Sequence, residues 1–444
     1  MNEMNQKIER CYDSHVHWLG TGDNLTMVPL AQMQGIESLR SLSIKPESFR
    51  DRWLLGFGWD EHRWLRPESV NRQMLDEVFP DHPVYFIRAD SHAAWLNTLA
   101  LKELEFWHPR GEGPHSSLEE FIPRADDGWP RGLLLEKAKF HAGTLLPEPT
   151  VSQCKALLTN ATRTFHRAGF THIRDMTCSA RQWEAATSLD FAGELQLAVL
   201  QNFHVYNSAE LPKILELART AKLNQSPNLR VKGIKIFYDG SLGSETAYLS
   251  QCYCGRNHRG QIVYSEQEIR EMVLESWSAG FEVCVHTIGD QAADDIVNLL
   301  QKMKVHGHQG STHLEHVEIL RPDTIAKMRD LSLTCHLQPC HWLSDKNWLA
   351  EKLGSLFPHV FPWAALENAG VPIFFGSDSP IEPPSVINNI QAVAELALQG
   401  ISRPRQNSTH YQICPEPQLA EGSYTVFENG RVKDLFFAGQ RIEL

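Results

Sequence analysis

The chain has 444 residues, 42% of them hydrophobic and 22% charged, with a formal net charge of −12. That composition belongs to a globular protein with enough apolar surface for a sizeable core, in one large domain or two to three. The acidic balance argues against a nucleic-acid partner, which needs a basic face, and no apolar run is long enough to span a bilayer.

Residues 11–17, Cys-Tyr-Asp-Ser-His-Val-His, read as the first strand. Side chains two apart on a strand point the same way, so His15 and His17 form half of a metal site. Alone, such a pair also fits two hydrogen-bonded core histidines. Residues 24–50 read as a helical connection, and the runs 53–60 and 83–90 as strands bounded by turn residues. Between 105 and 131 the chain is irregular and rich in Gly, Pro, His and acidic residues. The expected organisation is therefore a barrel opening over 11–50, an inserted cap over 51–135, the rest of the barrel over 136–400, and a small β-meander over 415–444.

From residue 150 the pattern becomes regular. A helix over 151–168 ends at Gly169, another begins at Ser265 with Glu268 completing a capping box, and a third ends at Gly370. Each feeds an apolar strand. The strands expected are 11–17, 170–176, 195–203, 231–238, 281–286, 311–316, 332–338 and 371–377. Eight strands alternating with helices predict an α/β fold, a distorted (β/α)8 TIM barrel with an inserted cap and a small, reduced C-terminal β appendage. A doubly wound sheet is the alternative, but no Gly-x-Gly-x-x-Gly follows the first strand. The tail, with the turn Asn429-Gly430, reads as the meander. Nine scattered cysteines, odd in number, and a mixed-charge amino terminus suit reduced thiols in the cytoplasm.

Barrel chemistry sits at the carboxyl ends of the strands. There lie His15, His17, Lys235, His286, His316, His341 and Asp378. A lysine inside an apolar strand is costly without a partner; it either snorkels outward or carries a carbamate able to bridge two cations. His313 and His316 face opposite ways, and position favours His316. His172 reads as a satisfied core histidine. Asp378 is either a site residue or a helix cap. The run Asp239-Gly240-Ser241-Leu242-Gly243-Ser244 reads as a flexible lid rather than a phosphate cradle. In the cap, Arg88 and His92 are either surface residues or substrate contacts, and Trp59 is either core or pocket wall.

These residues, in this order, resemble the amidohydrolase superfamily, most closely its YtcJ-like branch (amidohydrolase family 3). Further motifs carry the resemblance: 56–60 Gly-Phe-Gly-Trp-Asp, 88–97 Arg-Ala-Asp-Ser-His-Ala-Ala-Trp-Leu-Asn, 235–244 Lys-Ile-Phe-Tyr-Asp-Gly-Ser-Leu-Gly-Ser, 285–290 Val-His-Thr-Ile-Gly-Asp, 315–316 Glu-His, 338–341 Gln-Pro-Cys-His and 376–380 Gly-Ser-Asp-Ser-Pro. The resemblance implies one or two divalent metal ions, usually zinc, held by His15, His17, Lys235, His286, His316 and Asp378, with Lys235 carboxylated. It implies hydrolysis of a C–N bond in a non-peptide amide or related small molecule by metal-bound hydroxide. Asp378 would be the catalytic base, His341 the oxyanion stabiliser, and Arg88, His92 and Trp59 the substrate-binding residues. Two departures stand out. Only ten residues precede Cys11, so no β-strand is expected ahead of it, and 396–420 lacks a long helical run. A trimmed chain of this kind is expected to dimerise. The competing expectations are a metal- or ligand-binding relative without turnover and an esterase or lactonase using the same site.

Overall fold

In the computed structural model, the structure describes residues 6–444 apart from 62–63, 65–68, 90, 332 and 403–407. Asp90 and Ser332, at expected strand ends, and part of the helix-poor segment 396–420 therefore lie outside the described residues. Two compact units are present, one of Met1–Gly22 with Val151–Leu444 and one of Asp23–Thr150.

The first unit is built on eight parallel strands: β1 Tyr12–Val16, β2 His172–Cys178, β3 Ala198–His204, β4 Leu229–Phe237, β5 Glu282–Thr287, β6 Thr312–His316, β7 Leu333–Leu337 and β8 Ile373–Phe375. Each pairs with its neighbours in chain order. Beyond β8, the Asp378 N–H donates to the His15 carbonyl and the His17 N–H to that of Ser379, both at 2.8 Å. These bonds draw the last strand onto the first, so the sheet is the expected (β/α)8 barrel. Helices and strands alternate as the sequence predicts, with a helix over Val151–Ala168 and the capping box at Ser265 and Glu268. Gly169, Gly280 and Gly370, where helices give way to strands, all have positive φ (96°, 78° and 76°), the left-handed turn that favours glycine.

Outward-facing strand residues such as Val199, Phe203, Ile234, Val283, Leu314 and Phe375 join the helices in one large apolar cluster. A smaller cluster joins Tyr12, Ala198 and Leu200 to Cys414, Leu419, Ala420 and Phe437 of the C-terminal segment. His172 is tied into that segment: its Nε2–H donates to the Leu419 carbonyl at 2.9 Å, and Nδ1 lies 2.9 Å from the Thr171 hydroxyl. It is the satisfied core histidine expected.

The C-terminal β-meander forms Tyr424–Glu428, Arg431–Phe437 and Gln440–Ile442, turning at Asn429 and Gly430, both with positive φ. One expectation is overturned here. Gln6–Glu9 is a strand and pairs antiparallel with Tyr424–Glu428, making the sheet four-stranded. Four residues of mixed charge carry no period-2 signal; the edge of Tyr424–Glu428 supplies the pairing.

The second unit carries a six-stranded sheet that includes Trp53–Trp59, Val84–Arg88, Ala93–Leu96 and Leu133–Leu135. Strict alternation sorts its side chains into two cores. Leu54, Val84, Phe86 and Trp95 lie in one, and Trp53, Leu55, Tyr85, Ala94 and Leu96 in the other. The helical connection expected over 24–50 is absent. After a helix over Trp18–Thr26 come two short strands and short 3-10 turns, in a stretch that Pro29, Gly35 and Pro46 make unfit for a long helix. This unit extends beyond 51–135 at both ends. Among the described residues no helix is long and apolar enough to cross a membrane.

Acid should loosen this fold through two buried histidines. Burial lowers His166 and His172 from 6.5 to about 4, while the carbonyl hydrogen bond each makes opposes the shift. A folded-state pKa below the unfolded one means that the unfolded chain binds the proton first. Stability is thus intact above pH 6.5 and falls as pH drops toward 4, by about 3 kcal/mol per histidine. Urea unfolding at pH 7.5 and 4.5 checks this. The His166→Gln, His172→Gln double variant should lose less stability between the two pH values than the parent.

Candidate metal centre

The rim of the barrel gathers side chains from five strand ends. His15 and His17 come from the end of β1, His286 from β5, His316 from the end of β6, His341 from just after β7 and Asp378 from just after β8. The His316 ring lies 4.7 Å from that of His15, 4.4 Å from His286 and 6.1 Å from His341. His316, Val317 and Asp378 all have positive φ, conformations non-glycine residues adopt at a cost. There the chain leaves the strand direction and turns these side chains over the rim.

Each imidazole has one nitrogen committed to an oxygen. Nδ1 of His15 lies 2.6 Å from Glu315 Oε2, and Nδ1 of His316 lies 2.8 Å from Gln338 Oε1. His286 uses Nε2, 3.1 Å from the Gly240 carbonyl. His17 Nδ1 lies 3.2 Å from the Thr177 hydroxyl. Where the partner only accepts, as for His15, His286 and His316, the other nitrogen of a neutral ring keeps its lone pair. His15 Nε2 and His286 Nδ1 are buried with no hydrogen-bond partner. Asp378 Oδ1 is hydrogen-bonded to His17 Nε2 at 3.0 Å and lies 3.3 Å from His15 Nε2. Imidazole nitrogens of His15 and His316 converge with the Asp378 carboxylate in a buried place, a donor set that fits a divalent cation. The donor atoms of His15, His316 and Asp378 lie within 4.8 Å of one another.

A second trio, His316, Glu318 and His341, is equally close. Here, however, Glu318 Oε1 already binds His341 Nδ1 at 2.7 Å. With Nδ1 of His316 engaged by Gln338, its other nitrogen serves one ion or the other, not both.

Electrostatics separate the members. Burial holds His286 and His316 well below the ordinary histidine value, with neighbouring positive groups adding to it, which keeps them neutral. Burial acts the same way on His341, but Glu318 outweighs it and lifts the imidazole to about 10. His341 thus carries both protons, and its buried Nε2–H has no hydrogen-bond partner and lies 3.8 Å from Asp378 Oδ2. Burial raises the Asp378 carboxyl, yet His15, His17 and His316 outweigh it and hold it well below the carboxylate range. Lys235 on β4 is wholly buried and does not snorkel outward. Its Nζ has no hydrogen-bond partner and lies 4.9 Å from the centre of the Phe237 ring. Burial depresses its ammonium, partly offset by Glu315 and Asp378.

Asp378 is not a helix cap; Ser385 caps the helix that follows. His313 stays out of the cluster, bonded to His336 at 2.9 Å. The expected lid is anchored at its base, because the Asp239 carboxylate accepts from the N–H groups of Tyr248, Ile288 and Gly289. The cap residues lie in the second unit. Arg88 Nη1 is 3.8 Å from Glu61, His92 Nδ1 is 2.9 Å from Glu136, and Trp59 is fully buried with its indole N–H on the Phe86 carbonyl. Glu315, Glu318, Gln338 and Arg174 were not among the expected site residues. Arg174 could have been found, since it interrupts an apolar strand as Lys235 does. The partners of the glutamates depend on which strands meet.

The sequence profile of the amidohydrolase family matches residues 12–413. The chain belongs to the amidohydrolase family. It is therefore a hydrolase, of a kind that uses divalent metal. Its relatives include YtcJ of Bacillus subtilis (strain 168), which bears the name of an amidohydrolase, at 27% identity over 90% of this chain and 74% of that protein. An N-substituted formamide deformylase of Arthrobacter pascens is 25% identical over 74% of this amidohydrolase and 61% of its own length. Among solved structures, an uncharacterized metal-dependent hydrolase from Pyrococcus furiosus superposes with a TM-score of 0.68 at 26% identity, covering 87% of this chain and 76% of that one. Its counterpart from Pyrococcus horikoshii OT3 reaches 0.71 at 23% identity, covering 94% and 80%, and shows the shared fold.

Close packing under the rim makes one substitution informative. A Cβ on Gly376 would lie 2.6 Å from the His15 nitrogen and 2.8 Å from its Cβ. Gly376→Ala should cost about 1–3 kcal/mol and lower the metal content, because β1 must shift. Thermal melting and elemental analysis check both effects.

Proposed function

We propose that this amidohydrolase cleaves the C–N bond of a small non-peptide amide or related compound. The observation that carries the proposal is the convergence of the His15 and His316 imidazoles with the Asp378 carboxylate in a buried site. The names of two relatives, an amidohydrolase and an N-substituted formamide deformylase, support the choice of bond.

In this reading His15, His17, His286, His316 and Asp378 hold the metal, and a set of imidazoles with one carboxylate suits zinc. Lys235 is proposed to carry a carbamate: its neutral amine adds to carbon dioxide, forms an N–C bond and releases one proton. That anion gives the buried, unpartnered Nζ a role and supplies a ligand for a second ion. When bound, the ion acidifies a water molecule and polarises the substrate carbonyl. Asp378 accepts the proton of the attacking water and returns it to the leaving nitrogen. His341, charged and held by Glu318, aims its Nε2–H at the oxygen that gains negative charge. Arg88 and His92 are proposed as substrate contacts, with the Trp59 ring, 6.0 Å from the guanidinium, backing Arg88.

Elemental mass spectrometry on the purified chain should find about two metal ions per chain, and about one in Lys235→Ala. A panel of N-acyl amines, formamides, lactones and esters then tests the bond; products from the oxygen esters alone would overturn the C–N assignment. Asp378→Asn should retain metal while turnover falls by about 10²–10⁴. Undiminished turnover would remove Asp378 as the base.

A further inference from the structure

We infer that Glu315, clamped by Arg174, is the positioning residue that aims His15 at the metal. The inference rests on the reading of His15 as a metal ligand. Arg174 leaves β2 and spans the barrel interior, where its Nη2 donates to Glu315 Oε1 at 2.9 Å and lies 2.8 Å from Cys284 Sγ. Its Nη1 donates to the carbonyl of Ser14, the residue before His15, at 3.2 Å. The other Glu315 oxygen, Oε2, takes the Nδ1–H of His15 at 2.6 Å. One guanidinium therefore fixes both the backbone beside His15 and the carboxylate that orients its ring. Arg174 is 2% exposed and Glu315 and His15 are wholly buried. Interiors of such barrels are ordinarily filled by branched aliphatic side chains, and a buried ion pair is often no more stable than an apolar replacement. What the pair adds is direction. With Nδ1–H held by Glu315, the His15 lone pair sits on Nε2, the nitrogen facing Asp378.

Competition with a zinc-binding dye tests the assignment on chelated protein, with the melting temperature of each apo variant measured alongside. Glu315→Gln should weaken zinc binding about 10–100-fold with little change in apo melting, since an amide can satisfy Arg174 or His15 but not both. Arg174→Lys keeps the charge but not the fork, and should weaken zinc less. Wild-type affinity in Glu315→Gln, with binding lost in His15→Ala, would overturn the positioning role and leave the ligand reading standing. Full affinity in His15→Ala would instead overturn the ligand reading. If Glu315→Gln fails to fold, nitrogen-15 spectra of histidine-labelled wild-type protein decide the matter. A proton on His15 Nδ1, with Nε2 shifting on zinc addition, supports the inference; a proton on Nε2 overturns it.

Discussion

The site depends on the closure of the barrel between its first and last strands. The Asp378 N–H bonds to the His15 carbonyl, and the His17 N–H bonds to that of Ser379. Those bonds bring a dyad near the amino terminus against a carboxylate far along the chain. Without them His15, His17 and Asp378 would not meet. Glycine at 376 is part of the same constraint, since any side chain there would meet the His15 backbone.

Closure also creates an interior that the helices never touch. Outside, the strands present valine, isoleucine, leucine and phenylalanine to the helices, and hydrophobic burial accounts for that layer. Inside, Arg174, Asn202, Cys284 and Glu315 form a connected polar network directly below the rim. Such a layer is tolerable only when its members satisfy one another, and its free energy goes into fixing directions rather than into cohesion.

The four buried imidazoles of the rim divide by what their partner oxygen carries. His316 and His286, held by the neutral Gln338 amide oxygen and Gly240 carbonyl, are left uncharged by burial. Glu318 turns His341 into a cation. Glu315 is itself neutralised by Arg174, so it orients His15 without being a lone negative charge. One residue type thus supplies both candidate ligands and a candidate oxyanion partner, and the difference lies entirely in the groups behind them.

Much of this was legible in the sequence. Alternation of helix, glycine and apolar strand specified the barrel, because the outer face of each strand must pack on helices and glycine alone turns cheaply out of a helix. The residues on the rim were legible too, since His-x-His, a lysine between isoleucines and Gly-Ser-Asp-Ser-Pro violate those patterns. The strand Gln6–Glu9 was not, because an edge partner rather than its own composition makes it a strand. Nor were the pairings of Glu315 with His15 and Arg174, or of Glu318 with His341. A sequence lists donors and acceptors but not which strands face each other across a closed barrel. The register of that barrel decided which nitrogen of His15, His286 and His341 stays without a hydrogen-bond partner, and with it the chemistry open to the site.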